Sequence, residues 1–173
     1  KLPYSRTRVL VSGRGPFRLR LNFTRPPTRV LVASNVSVTW SLEGAWLTVE
    51  GVLGSTAEVN VTEQYLLRVE LWDRLGNPLP ISATVYVNGT GYAGVGAVDV
   101  YVAPEDYVVE VLADVQGFKL YSFDGQNATA LIIRVNGTDV TLRAEYRVPT
   151  SVRELAVERV GGGVLEQLAR IFG

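Results

Sequence analysis

Cysteine, histidine and methionine are absent from this 173-residue chain, and lysine occurs only at positions 1 and 119. Without cysteine there is no disulfide, no thiolate nucleophile and no thiolate metal ligand. Without histidine there is no imidazole to act as a general base, to activate a nucleophile or to bind zinc. Catalysis would have to rest on carboxylates, hydroxyls, Lys and Arg, which removes most familiar hydrolase and metalloenzyme sites. The expectation is a non-enzymatic protein with no catalytic residues, no cofactor and no metal.

Net charge is missing too: 17 Lys plus Arg balance 17 Asp plus Glu. No long-range field draws the chain toward nucleic acid or an anionic membrane, so no nucleic-acid partner is expected. No apolar run approaches the roughly 18 residues of a membrane-spanning helix. A chain without methionine does not begin at its own initiator, so Lys1 is expected to follow a processed or trimmed segment, as in a secreted protein.

Asparagine is what stands out among the residues present. Of seven asparagines, Asn22, Asn35, Asn60, Asn88, Asn127 and Asn136 each begin an Asn-X-Ser/Thr triplet, and only Asn77, followed by Pro78, does not. Ser and Thr together number 22, so chance gives 7 × 22/173, or about 0.9 triplets, against six observed. Such triplets are N-glycosylation acceptors on the surface of exported proteins, so covalent N-linked glycans are expected at these six positions. In "VNGTG" (87–91) Asn88-Gly89 is also a strong hairpin turn, and Asn136-Gly137 reads the same way. A turn presents its asparagine to solvent, so the two readings cooperate.

Around these triplets apolar residues alternate with polar ones in short runs broken by Gly, Pro, Asn or Asp every eight to twelve residues or so, the pattern of an all-β antiparallel sandwich, Ig-like or jelly-roll-like. Six runs fall in a first part (6–12, 17–23, 29–34, 36–42, 46–52 and 57–63). Seven more fall in a second (65–72, 82–88, 97–103, 107–114, 118–123, 129–136 and 139–147). Residues 1–64 and 65–148 then form either two modules joined stiffly near Gln64, where no flexible linker occurs, or one large sandwich. The Gly-rich "GTGYAGVG" (89–96) lacks the Lys-Ser/Thr of a phosphate loop and reads as a hairpin loop.

Three features of the second part occur together: a strand ending in Asp73, the turn "GNPLP" (76–80), and "TVYVNG" (84–89). Together they resemble the carboxypeptidase-regulatory-like and Ig-like β-sandwich modules of archaeal and bacterial cell-surface proteins, over about residues 66–147. The resemblance implies a spacer, stalk or adhesive unit with no shared catalytic residues. Residues Ile81-Ser82 and the short second loop depart from that pattern.

After Pro149 the apolar period becomes helical: Val152, Leu155, Ala156 and Val160, then Val164, Leu165, Leu168, Ile171 and Phe172, around a "GGG" hinge (161–163). Segments this short need a surface to bury their apolar faces: their own sandwich, a neighbouring subunit or a lipid surface. The tail (149–173), through Leu165, Leu168, Ile171 and Phe172, and the edge run Val9, Leu10 and Val11 are the candidate joining segments of a homopolymer. Joining by an added strand is similar to donor-strand pili.

Trp40, Trp46 and Trp72 could alternatively form a sugar-stacking platform, were they exposed side by side. "DGQNAT" (124–129) holds one carboxylate, short of the six to eight oxygens calcium takes. Arginine outnumbers lysine 15 to 2, which with the lack of oxidisable residues suggests a hot, oxidising exterior such as an archaeal thermophile's surface. The functional expectation is an extracellular glycoprotein building a cell-surface filament, pilus or surface layer. The alternative is a carbohydrate-binding or adhesive module of a larger surface protein or secreted enzyme.

Overall fold

The computed structural model describes residues 6–149, and these contain strands, turns and loops but no helix. The fourteen strands are β1 (Arg6–Ser12), β2 (Gly15–Asn22), β3 (Arg29–Ser34), β4 (Val38–Glu43), β5 (Trp46–Leu53), β6 (Thr56–Asp73), β7 (Ser82–Val87), β8 (Thr90–Val95), β9 (Ala97–Val102), β10 (Asp106–Val111), β11 (Asp114–Val115), β12 (Phe118–Phe123), β13 (Ala130–Arg134) and β14 (Val140–Arg147). The helical period expected after Pro149, with Leu165, Leu168, Ile171 and Phe172, lies outside the described residues.

One strand organises everything else. The sequence predicts two strands, 57–63 and 65–72; the structure has a single one of 18 residues, β6. The physical reason lies in its phase. Ala57, Val59, Val61, Tyr65, Leu67, Val69, Leu71 and Asp73 are all buried and all odd-numbered, so the inward face never switches and no Gly or Pro interrupts the run. At about 3.3 Å per residue β6 reaches roughly 60 Å.

Two cores hang on this strand. In the first half β6 lies between β1 and β3, and the β2–β5–β4 sheet faces it across a cluster of Phe23, Val30, Leu47, Val49, Val59 and Val61. In the second half β6 lies between β9 and β14, and the β13–β10–β7–β8 sheet faces it across a larger cluster that includes Tyr65, Leu67, Val85, Val109, Phe123 and Tyr146. The inward phase carries Glu63 between Val61 and Tyr65, and this single polar residue separates the two clusters.

The sheets are not purely antiparallel, which corrects the expectation for the fold. β14 pairs with β6 in parallel, from Val140↔Leu67 to Tyr146↔Asp73. These are the first and last strands of the second unit, so the whole unit serves as the long connection that a parallel pair requires. "GTGYAGVG" is likewise not a loop: Thr90–Val95 forms edge strand β8 on β7, with only Asn88-Gly89 as the turn. Gly94 tolerates no side chain, since a Cβ there would come 2.1 Å from the Ala97 carbonyl oxygen.

Candidate functional site

All six acceptor asparagines are exposed, in both units. Asn22 ends β2 and faces Trp46 across the sheet; Asn60 lies on the outward face of β6 between Arg8 and Ala33. Asn35, Asn127 and Asn136 are in connections between strands. Asn88 and Gly89 both have positive φ, 48° and 81°, as a two-residue primed hairpin turn requires. Asn136-Gly137 is no hairpin, contrary to its sequence reading: it links β13 to β14, which belong to different sheets.

Glycan attachment uses the side-chain nitrogen, and its engagement differs from site to site. At Asn35 and Asn88 the side-chain oxygen accepts a hydrogen bond from a backbone N–H, of Glu58 at 2.7 Å and of Val108 at 2.8 Å, which leaves Nδ2 turned away. Among the described residues the side chains of Asn22, Asn127 and Asn136 make no hydrogen bond. Asn60 differs, because its Nδ2 donates to Glu58 Oε1 at 2.9 Å.

Between the units the structure builds a junction that sequence reading did not single out. Asp139 Oδ1 accepts from Thr28 Oγ1 at 2.5 Å and from the Leu66 N–H at 2.8 Å, tying the β2–β3 connection to the midpoint of β6. Arg25 Nη1 donates to the Asn136 carbonyl at 3.0 Å, and the Arg29 guanidinium lies 5.4 Å from the Tyr101 ring centroid. Tyr65 is buried beside these groups and donates to Glu63; burial first, then the Glu63 carboxylate, pushes its phenol up to about 12. The one sequence signal for this joint is the polar Glu63 at an inward position of an otherwise apolar alternation.

At the far end of β6, Asp73 organises the "GNPLP" turn. Its carboxylate accepts from the N–H groups of Leu75 and Asn77 and from Asn77 Nδ2, and these bonds, those of Asn77 foremost, hold its pKa below the usual value. Much of the arginine excess also has a place. Arg68 and Arg134 grip Asp99 and Asp106 through two nitrogens each, and Arg20, Arg74, Arg143 and Arg147 stack on Trp46, Tyr121, Trp72 and Tyr121. Lysine cannot reproduce that planar fork.

The candidate joining strand is already in use. Val9, Leu10 and Val11 lie in β1, paired with β6 of the same chain over the register Arg6↔Thr62 to Ser12↔Thr56. β1 is an outer strand of its sheet, with Val9 and Val11 half-buried and Leu10 exposed. The tryptophans do not form a platform. Trp40, although 48% exposed, shares the inward face with Val38 and Leu42, Trp46 points outward with Thr48 and Glu50, and half-buried Trp72 is on the second unit, donating to Glu70. Asp124 and Gly125 of "DGQNAT" form a tight turn with φ of 49° and 75°. No helix among the described residues is long and apolar enough to cross a membrane.

No family model matches this chain, and no curated protein matches it. Among solved structures it is similar to the Bacillus anthracis TIE protein, with a TM-score of 0.39 and 12% identity, over 79% of this chain and 26% of that one, so it spans about a quarter of that protein's length.

Proposed function

We propose that this chain is a non-enzymatic, N-glycosylated extracellular structural protein, a rigid two-unit rod that assembles with copies of itself into a cell-surface filament, pilus or surface layer. The observation that carries the reading is the exposure of all six acceptor asparagines on two units that share one unbroken strand. A shared strand gives a spacer stiffness that a linker would not. Parallel pairing of the second unit's first and last strands closes that unit through its two ends, in keeping with an Ig-like or carboxypeptidase-regulatory-like surface module.

The geometry also ranks the joining segments. For β1 to serve as a donor strand it would first have to leave β6 and give up seven register pairs. The described chain leaves β14 at Val148 and Pro149, next to the Asp73 end of β6, so the tail beyond it starts from that end. That end carries exposed Leu75 and Val148 and none of the six acceptors. An end that binds the opposite end of the next copy makes an open, extending polymer. Glycopeptide mass spectrometry of the native protein, together with removal of residues 150–173, tests the reading: glycans on most of the six asparagines and loss of polymer on truncation are expected. Six unmodified asparagines would remove its basis.

A further inference from the structure

Asn22 and Trp46 are direct partners in the β2–β5 register, on the outward face of the sheet. Cross-strand partners hold their Cβ atoms about 4.5–5.5 Å apart. Trp46 is 44% exposed, comparable to Trp40 at 48% on the other face of the sheet, so its indole has surface left for a ligand. Arg20, two residues before Asn22 on the same face, places its guanidinium 4.8 Å from the Trp46 ring centroid, and Thr48 lies directly across from Arg20. An exposed aromatic thus lies directly across from Asn22, with a cation stacked on its ring, a hydroxyl one pair further along the same face, and Glu43 as the ring's partner on the other side. None of the other five acceptors has a tryptophan as its register partner: Asn60 is paired with Arg8 and Ala33, Asn35 and Asn88 are held by the backbones of Glu58 and Val108, and Asn127 and Asn136 lie in connections.

We infer that Trp46, with Arg20 and Thr48, is a seat for the glycan carried by Asn22. The inference rests on the reading of Asn22 as a glycosylation site. A pyranose has one face lined by C–H groups, which packs on the electron-rich face of an indole, while its hydroxyls accept from a guanidinium or exchange hydrogen bonds with a threonine. The first sugar on Asn22 starts from the residue directly across from Trp46, so it reaches the indole without any change of strand register. The sugar covers apolar indole surface that the fold itself leaves wet, and the sheet fixes the direction in which the glycan leaves the rod. This explains why Trp46 is solvent-facing without a neighbouring tryptophan: its ligand is covalent and intramolecular.

The test uses the native glycoprotein and the variants N22Q, N127Q, W46F and N22Q/W46F made in the same host. Glycopeptide mass spectrometry reads occupancy at Asn22, and acrylamide quenching of tryptophan fluorescence reads exposure of the ring. N22Q is expected to raise the quenching constant, N127Q to leave it unchanged, and N22Q to have no effect once Trp46 is phenylalanine. If Asn22 is glycosylated and N22Q leaves quenching unchanged, or N127Q changes it equally, the seat is refuted while the glycoprotein reading stands. If Asn22 carries no sugar, both the seat and the assignment of that site fail.

Discussion

Val61 and Tyr65 lie four residues apart on one strand, face the same way, and yet are buried in two different cores. Glu63 sits between them and accepts the Tyr65 hydroxyl. Mechanical continuity and core discontinuity therefore coincide at one place. Proline at Gln64 would remove a backbone donor from a central strand and disturb the bond from the Thr28 N–H to the Gln64 carbonyl. Q64P is expected to destabilise the protein by roughly 3 kcal/mol and to split its thermal unfolding into two steps. One unshifted transition in calorimetry would show that the cores are not coupled through β6.

The two units should differ in independence. Among the described residues the first core cluster has six buried apolar side chains and the second has twenty, while every ordered residue costs about 1–2 kcal/mol of backbone entropy in either. A fragment of residues 65–149 is expected to fold alone, and residues 1–64 to remain unfolded without the second half of β6. Circular dichroism and amide-proton dispersion of the two fragments decide this; a well-folded 1–64 fragment would contradict it.

Asp139 supplies one of the side-chain links between the units, beside Arg25 and Arg29. D139A removes the acceptor for Thr28 and for the Leu66 N–H, and is expected to cost about 1–2 kcal/mol and to raise hydrogen exchange at Leu66. Exchange unchanged at Leu66 would place the joint's rigidity elsewhere.

Two glycines give a matched comparison. A Cβ at Gly94 would meet the Ala97 carbonyl oxygen, part of the rigid backbone, whereas one at Gly54 has open space around it. G94A is expected to destabilise by about 1–3 kcal/mol and G54A to change stability by less than about 0.5 kcal/mol. Chemical denaturation of the pair checks the order, and equal effects would contradict the close approach of β8 to β9.

Stability should fall at both ends of the pH scale. Glu58, Asp73, Asp99, Asp106 and Asp114 have pKa values lowered by hydrogen bonds and by neighbouring cations. Lowered carboxylate values contribute stability above the unfolded values near 4 and lose it as pH falls through the folded ones, so acid unfolding belongs below about pH 4. Burial raises Tyr65, Tyr107 and Tyr146 to about 12. The unfolded chain releases these protons first, near 10, so that contribution is whole below pH 10 and disappears by about pH 12. Phenolate absorbance from these three should therefore appear together with loss of structure. Their ionisation in a still-folded protein would contradict the burial.

Strand positions were the most legible part of the chain. The boundaries of β1, β3 and β12 follow directly from alternation and turn residues, and Asn88-Gly89 announced its hairpin. Partner choice was not legible, because alternation fixes which way a residue faces and says nothing about its neighbour; hence the parallel β14–β6 pair was missed. The length of β6 was missed for a different reason. Gln64 and Glu63 look like a polar break, and only the unchanged phase on either side shows that the strand continues. The same parity, applied to Trp46, Thr48 and Glu50 against Leu47 and Val49, would have put Trp46 outward beside Asn22 and separated it from Trp40.

Electron microscopy of the protein from its native source, alongside the form lacking residues 150–173, is the most direct measurement on the central claim. Regular filaments or lattices with a subunit repeat comparable to the two-unit rod, lost on truncation, are the predicted result. Dispersed monomers at every concentration, from the native source, would contradict the proposed self-assembly.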